Sequence, residues 1–367
     1  MTITFYSNFL NHHQLPFCME LIKIVGEENF CFVACEKIHM ERTQMGYEDM
    51  NRKYPFVLRV YESDENYQKS LQLAESSDVA IIGAAGIIYS EIRSKYNKLT
   101  FLFRERIFKN GSLHRFFPTS AWSIYKGYTR YRSKNFYILC ASAYAADDFE
   151  LCGFPRRKSL KWGYFPKFYE SRIIKKRSGK LKLMWCGRMI WWKHPEHAVE
   201  VARMLNEKKI DFEMLIIGNG EKESVVKSLI NEYKLNCYIK LYNFMLPEDI
   251  RKNMDDSDVY LFTSGREEGW GVVLNEAMNS RCAVIANTKA GSTNYLLDNN
   301  CGFFYDGKLR NLEKALDYML QSDFVEFGNR AYERIQTLWN AEIAAKNLIK
   351  FISNPNVIIE KGPCSLT

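Results

Sequence analysis

The feature that most constrains the fold is an alternation that runs twice through the chain. Short apolar runs rich in β-branched and aromatic residues alternate with stretches of helical periodicity. In the first half strands are expected at 3–6, 30–34, 56–60, 79–83, 99–103 and 136–140, and helices at 15–25 and 66–75. The rhythm restarts after Lys180. Strands are then expected at 181–185, 212–217, 239–241, 258–262 and 283–286, and helices at 195–207, 221–233, 247–254, 311–320 and through 323–351. Such alternation predicts parallel sheets covered on both faces. With 367 residues, two cores are expected rather than one. The expected fold class is therefore α/β, with two Rossmann-like domains facing a central crevice. Their expected limits are 1–170 and 171–340, with a polar loop from strand 30–34 to Lys53 and a basic connection at 153–180. The last residues, 341–367, read as a helix and tail packing back on the first domain.

Several classes are excluded by what is missing. No apolar run reaches the ~20 residues of a membrane-spanning helix, and the start Met1-Thr2-Ile3-Thr4-Phe5 lacks the basic head and apolar centre of a signal peptide. Ten cysteines without a CxxC pair suit buried, reduced thiols in a cytoplasm better than a disulfide framework or a zinc site. The net charge of +8 is concentrated: 99–136 holds eight Lys/Arg against Glu105, and 151–180 holds ten against Glu170. Between 108 and 137 the bases mix with Phe116, Phe117, Trp122, Tyr125, Tyr128 and Tyr131. That mixture fits an anionic membrane surface, an ordinary solvated face, or, less well, single-stranded nucleic acid.

In doubly wound domains ligands bind beyond the carboxyl ends of strands, so chemistry is sought in the loops that follow strands. After 258–262 comes Thr263-Ser264-Gly265-Arg266-Glu267-Glu268-Gly269-Trp270-Gly271, then a helix with Val273 paired to Ala277 and Leu274 to Met278. A glycine turn opening on a helix N-terminus attracts anions. Glu267, Glu268 and, two turns on, Glu276 add acceptors for hydroxyls. A ligand with both phosphates and hydroxyls, such as a nucleotide sugar, satisfies both halves. Arg188 and Lys193, in the loop after 181–185, suit a diphosphate. Gly218-Asn219-Gly220 is another strand–turn–helix junction, and Ser292 and Thr293 look like helix N-caps. In the first half Asn11, His12 and His13 follow the first strand, and Gly83-Ala84-Ala85-Gly86 ends another. Glu105, flanked by Arg104 and Arg106, reads first as a structural ion pair and second as a group that positions an acceptor hydroxyl. Adjacent histidines lack the spacing of a metal site, and no metal is expected.

Glu268, seven residues, then Glu276-Ala277-Met278 and Ala283-Val284-Ile285-Ala286 resembles the donor-site signature of family 4 (group 1) glycosyltransferases of the GT-B fold. Gly187-Arg188 with Lys193, Gly218-Asn219-Gly220 and Ala290-Gly291-Ser292 extend the resemblance in the right order. It implies transfer of a sugar from a UDP- or GDP-sugar, with retention and without a metal or other cofactor, to a saccharide or lipid-linked acceptor in polysaccharide assembly. By position, Arg188 and Lys193 would hold the diphosphate, Glu276 the ribose hydroxyls and Glu268 the transferred sugar. Gly218, Asn219 and the backbone of Gly269, Trp270 and Gly271 would line the donor. The first domain would take the acceptor, through Asn11, His12, His13 and Glu105. The implied catalytic set is Glu268, Arg188, Lys193 and Glu105. Two departures stand out. Glu105 and Arg106 replace a histidine beyond strand 99–103, and Asn8 to Gln14 replaces a glycine-rich turn. The main reading is a cytoplasmic glycosyltransferase that touches the inner face of the plasma membrane to reach a lipid-linked acceptor, with no nucleic-acid partner expected. The competing readings are an epimerase of the same fold and a nucleotide or nucleic-acid binding protein without activity.

Overall fold

The computed structural model describes residues 1–39, 48–170 and 179–367. The remainder of the expected polar loop and of the basic connection, 40–47 and 171–178, lies outside the described residues. Chain contacts divide the protein into two units, Met1–Lys167 with Leu338–Thr367, and Phe168–Thr337.

In the first unit seven strands form one sheet: β1 (Ile3–Ser7), β2 (Phe30–Ala34), β3 (Val57–Arg59), β4 (Val79–Ile82), β5 (Leu99–Arg104), β6 (Phe136–Cys140) and β7 (Ser159–Lys161). Their order is β3-β2-β1-β4-β5-β6-β7, and every pairing is parallel. Strands β1 and β4 are buried at every position, as a sheet covered on both faces requires. One face packs Tyr6, Ile82, Leu102, Ile138 and Phe149. The other carries an aromatic cluster in which Phe17 meets Phe5, Trp162 and Phe165 at centroid distances of 6.4, 5.1 and 6.1 Å. Helix Ala341–Ser353 returns to this unit, with Phe351 edge-on to Tyr137 at 5.0 Å. The tail then clips onto β7: Lys161 N–H donates to Ser365 O, and Cys364 N–H to Lys161 O, both at 2.8 Å.

The second unit repeats the plan with β8 (Leu181–Cys186), β9 (Phe212–Ile217), β10 (Ile239–Tyr242), β11 (Val259–Phe262), β12 (Ala283–Asn287) and β13 (Phe303–Tyr305). The order is β10-β9-β8-β11-β12-β13, again all parallel. Leu183, Trp185, Met214, Ile216, Leu261 and Ile285 build its core. The architecture is thus α/β with two Rossmann-like units.

Several elements escaped sequence reasoning: helices Ile87–Lys95, Pro118–Gly127 and Ala145–Leu151, and strands β7 and β13. Both strands hold three residues, too few to show a period. All ten cysteines are free thiols. Among the described residues no helix is long and apolar enough to cross a membrane.

Candidate functional site

Strand order reverses between β1 and β4 in one unit and between β8 and β11 in the other. Loops diverge at such a switch point and leave a ligand crevice at the carboxyl ends. The sequence-selected loops emerge there: Asn8–Gln14 after β1, 187–193 after β8 and 263–271 after β11.

In the second unit these loops are stitched together by backbone. Met189 N–H donates to Asn219 O at 2.6 Å, and Lys222 N–H to Met189 O at 2.8 Å. The close crossing explains the glycines. Gly218 has φ +142°, and a Cβ there would lie 1.8 Å from Gly187 O; at Gly220 a Cβ would meet Met189 O at 2.6 Å. Gly218→Ala is therefore expected to lower the urea midpoint of unfolding, at a cost of about 2–4 kcal/mol. An unchanged midpoint would show that the two loops part freely.

The 187–193 loop is also tied to β11. Thr263 Oγ1 donates to Lys193 O at 2.5 Å and accepts from Trp185 Nε1 at 2.8 Å, and Gly265 N–H donates to Trp192 O at 2.6 Å. With its backbone so held, Lys193 reaches Glu268, and their charged atoms lie 2.5 Å apart. Both side chains are about 15% exposed, at 16% and 15%. Gly291 N–H donates to Glu268 O at 3.2 Å, which brings the 288–292 loop to the same place. Ser292 stands at the N-cap position of Thr293–Leu296 but makes no capping bond, and its buried Oγ has no partner among the described residues. Thr293 Oγ1 instead donates to Asn287 O at 2.8 Å. The expected side-chain capping is therefore absent at both positions.

Arg188 is exposed and has no ion-pair partner among the described residues. Asn219 is exposed, with Nδ2 donating to Asn243 O at 3.3 Å. Trp270 points inward, with Nε1 donating to Asn275 Oδ1 at 2.8 Å, so Gly269, Trp270 and Gly271 present backbone rather than side chains. Gly271 has φ +81°, and a Cβ there would meet the Phe262 ring at 2.5 Å. Glu276 lies in the first turn of helix Val273–Asn279. Burial pushes its carboxyl up to about 7, against a smaller downward pull from Arg251.

Beside Lys193, His194 adopts a left-handed φ of +47°. His194 Nδ1 and Glu196 Oε1 are 3.0 Å apart, and His197 Nδ1 lies 3.0 Å from Tyr305 Oη. These three residues bring ligating atoms within 4.8 Å of one another, a grouping the spacing rules for metal sites had not raised. The two imidazoles stack nearly parallel, 4.8 Å apart. Burial, with His194 alongside, lowers the His197 pKa to about 4.

In the first unit the ion pair expected between Glu105 and its arginine neighbours is not the one that forms. Arg104 donates to the carbonyls of Ile82 and Gly83, each at 2.7 Å. Arg106 turns inward to Asp148 at 3.5 Å. Glu105 pairs with Lys109 at 2.7 Å and accepts from Tyr164 Oη at 3.2 Å. Arg104 and Arg106 are engaged elsewhere, and Glu105, just past the end of β5, is left to Lys109 and Tyr164. The His13 ring is edge-on to Tyr164 at 6.3 Å and 3.6 Å from the His12 ring. Glu105 and the histidine pair are thus joined through Tyr164, which sequence reasoning missed because it follows the unrecognised β7. Asn11 Oδ1 accepts from His13 N–H and Gln14 N–H, at 3.0 and 3.1 Å, and so shapes the turn before helix Leu15–Val25.

Residues 167–337 match the glycosyl transferases group 1 family. An amylovoran biosynthesis glycosyltransferase, AmsK of Erwinia amylovora, is 26% identical over 237 residues, 62% of this chain and 58% of that one. The first curated relatives are matched over about half of their own length, 52% and 58%. The Anabaena HepE structure in complex with UDP superposes with a TM-score of 0.70 at 14% identity, covering 96% of this chain and 100% of that one. The lipopolysaccharide outer core galactosyltransferase WaaB superposes at 0.65, with 14% identity over 97% and 100% of the two chains. The two sheets, their shared strand order and these neighbours make this a GT-B architecture, and its second unit matches the glycosyl transferases group 1 family.

Proposed function

We propose that the protein is a retaining glycosyltransferase. It moves a sugar from a UDP- or GDP-sugar to a saccharide or lipid-linked saccharide acceptor in polysaccharide assembly. The observation that carries this reading is the meeting of Lys193 and Glu268, one cation and one carboxylate from different loops, at the β8/β11 switch point. Relatives named for polysaccharide biosynthesis and a neighbour holding UDP support it.

On this reading Arg188 and Lys193 hold the diphosphate. An ammonium has three donors, so Lys193 keeps Glu268 while it takes a phosphate oxygen. Glu268 accepts from a sugar hydroxyl and Glu276 from the ribose. The amides of Gly269, Trp270 and Gly271 face sugar and phosphate, and Gly218 and Asn219 border the donor. Glu105, Asn11, His12 and His13 position the acceptor. The anomeric carbon–phosphate bond breaks as the bond to the acceptor oxygen forms, and the acceptor proton passes to a leaving phosphate oxygen. The chain supplies orientation and charge stabilisation. No metal or other cofactor takes part, and the protein works in the cytoplasm.

A panel of UDP- and GDP-sugars tests the reading. One donor is expected to raise the melting temperature and to be hydrolysed slowly, to a product of unchanged anomeric configuration by NMR. Hydrolysis should survive EDTA. No shift with any donor would reject the transferase, and inversion would reject retention. Activity lost to EDTA and restored by a divalent ion would instead give His194, Glu196 and His197 a metal role.

A further inference from the structure

We propose that His194, Glu196 and His197 form a binding site for a divalent transition ion such as Zn²⁺. The ion stands outside sugar transfer and braces the loop that carries Lys193. The three residues lie at i, i+2 and i+3, across the entry to helix Glu196–Glu207. Two imidazoles and one carboxylate are the donor set of three-ligand zinc sites, which leave a fourth position to water. A ligating atom from each residue lies within 4.8 Å of the others. Ligands about 2.1 Å from a tetrahedral zinc stand roughly 3.4 Å apart. His194 Nδ1 already lies 3.0 Å from Glu196 Oε1.

Glu196 Oε2 is buried and has no hydrogen-bond partner among the described residues. A carboxylate oxygen shut off from water costs free energy unless a donor or a cation reaches it. His197 is 7% exposed, and its Nδ1 lies 3.0 Å from Tyr305 Oη. Metal-bound imidazoles are oriented in this way, through the ring nitrogen that does not bind the ion. His194 has a comparable neighbour. A Cβ at Gly265 would lie 3.2 Å from His194 Nε2 and 3.3 Å from Glu267 Oε2, so the two atoms flank one small space. The left-handed φ of His194 is held only where the surroundings impose it, and it turns the ring of the residue after Lys193 toward Glu196.

Without the ion the His194 ring stacks on His197, and a proton lies between Nδ1 and Glu196 Oε1. On binding, the His194 side chain, 30% exposed, swings to align its Nδ1 lone pair with the ion. The proton moves to Nε2, where Glu267 is placed to accept it, and no electron is transferred. The bound ion then ties the turn after Lys193 to helix Glu196–Glu207 and, through Tyr305, to β13.

Equilibrium dialysis and thermal unfolding of the full chain with Zn²⁺ alone test the site. One equivalent is expected to bind, and the melting temperature to rise with Zn²⁺. His194→Ala and Glu196→Gln are expected to abolish both effects. Glu196→Gln keeps the shape of the side chain, so lost binding beside a wild-type circular dichroism spectrum is loss of a ligand and not of the fold. Tyr305→Phe should weaken binding about 10–100-fold. His12→Ala/His13→Ala should bind as the wild type does. Co²⁺ in place of Zn²⁺ should show the visible absorption of a four-coordinate ion without a thiolate charge-transfer band. Four results would each overturn the site: no binding in excess Zn²⁺, binding kept by both His194→Ala and Glu196→Gln, binding lost in His12→Ala/His13→Ala, or a thiolate band with Co²⁺. No nucleotide sugar is present in these measurements, so their outcome is separate from that of the transferase reading.

Discussion

Lys193→Met is expected to slow sugar transfer about 10²–10³-fold, the loss typical when one preorganised donor to a developing oxyanion is removed. The same change strips Glu268 of its partner at 2.5 Å, leaving a mostly buried carboxylate unpaired. Breaking a buried pair from one side costs about 3–5 kcal/mol, and the residual exposure of both groups places this site at the low end. Stability and catalysis would then fall together, so the single variant is ambiguous. Lys193→Met/Glu268→Gln separates them: the double variant is expected to regain the wild-type urea midpoint and to stay slow. Recovery of both would make the pair a structural element without a part in transfer. The measurement is single-turnover transfer beside urea unfolding for all three proteins.

Glu276 is expected to make donor affinity pH-dependent. Its carboxyl titrates near 7, so it is largely protonated at pH 6 and largely ionised at pH 8. In the proposed ribose-binding role the ionised form would accept from two hydroxyls, whereas the acid keeps one oxygen as a donor. Affinity for a nucleotide sugar should thus rise about tenfold from pH 6 to 8, the factor expected from one unit below the pKa. An intact nucleotide sugar is the right probe, because its diphosphate is esterified at both ends and does not titrate in this range. Glu276→Gln should bind weakly at both pH values, with a flat profile. A wild-type profile as flat as the variant's would remove Glu276 from the ribose.

Stability should move the other way. The folded pKa lies above the ordinary carboxylate value of 4.5, so this group's contribution is fully present below pH 4.5 and is lost as pH rises through 7. At pH 8 the ionised carboxylate costs at most about 3 kcal/mol. Glu276→Gln should therefore unfold at higher urea than wild type at pH 8, with little difference at pH 4.5. A carboxylate that costs stability where it binds best is the pattern expected of a binding group held in a desolvated position.

Much of this was legible in the chain itself. The alternating pattern announced both sheets, because strands buried on two faces must be continuous apolar runs. The boundary from Leu15 to Val25 was readable from helical periodicity and Pro16 in the first turn. The loop at 263–271 was readable because glycine marks turns that other residues cannot make. Helix Pro118–Gly127 was not readable, since it buries none of its residues and so carries no core-facing apolar stripe. Nor was Tyr164, which depends on a three-residue strand.

The sequence by itself determined the fold class, the loops where chemistry belongs and the spacing of Glu268 and Glu276 along one turn and helix. These are local properties of apolar period, backbone permissiveness and residue type. Tertiary structure alone decided that Lys193 meets Glu268 across 75 residues of chain, that Gly218 makes room for Gly187, and that Glu105 leaves its arginine neighbours for Lys109 and Tyr164. The reason is geometric: a parallel sheet sets side by side the ends of strands that the chain separates by whole helices. Side chains from those ends choose partners by direction and distance in space, not by order along the sequence.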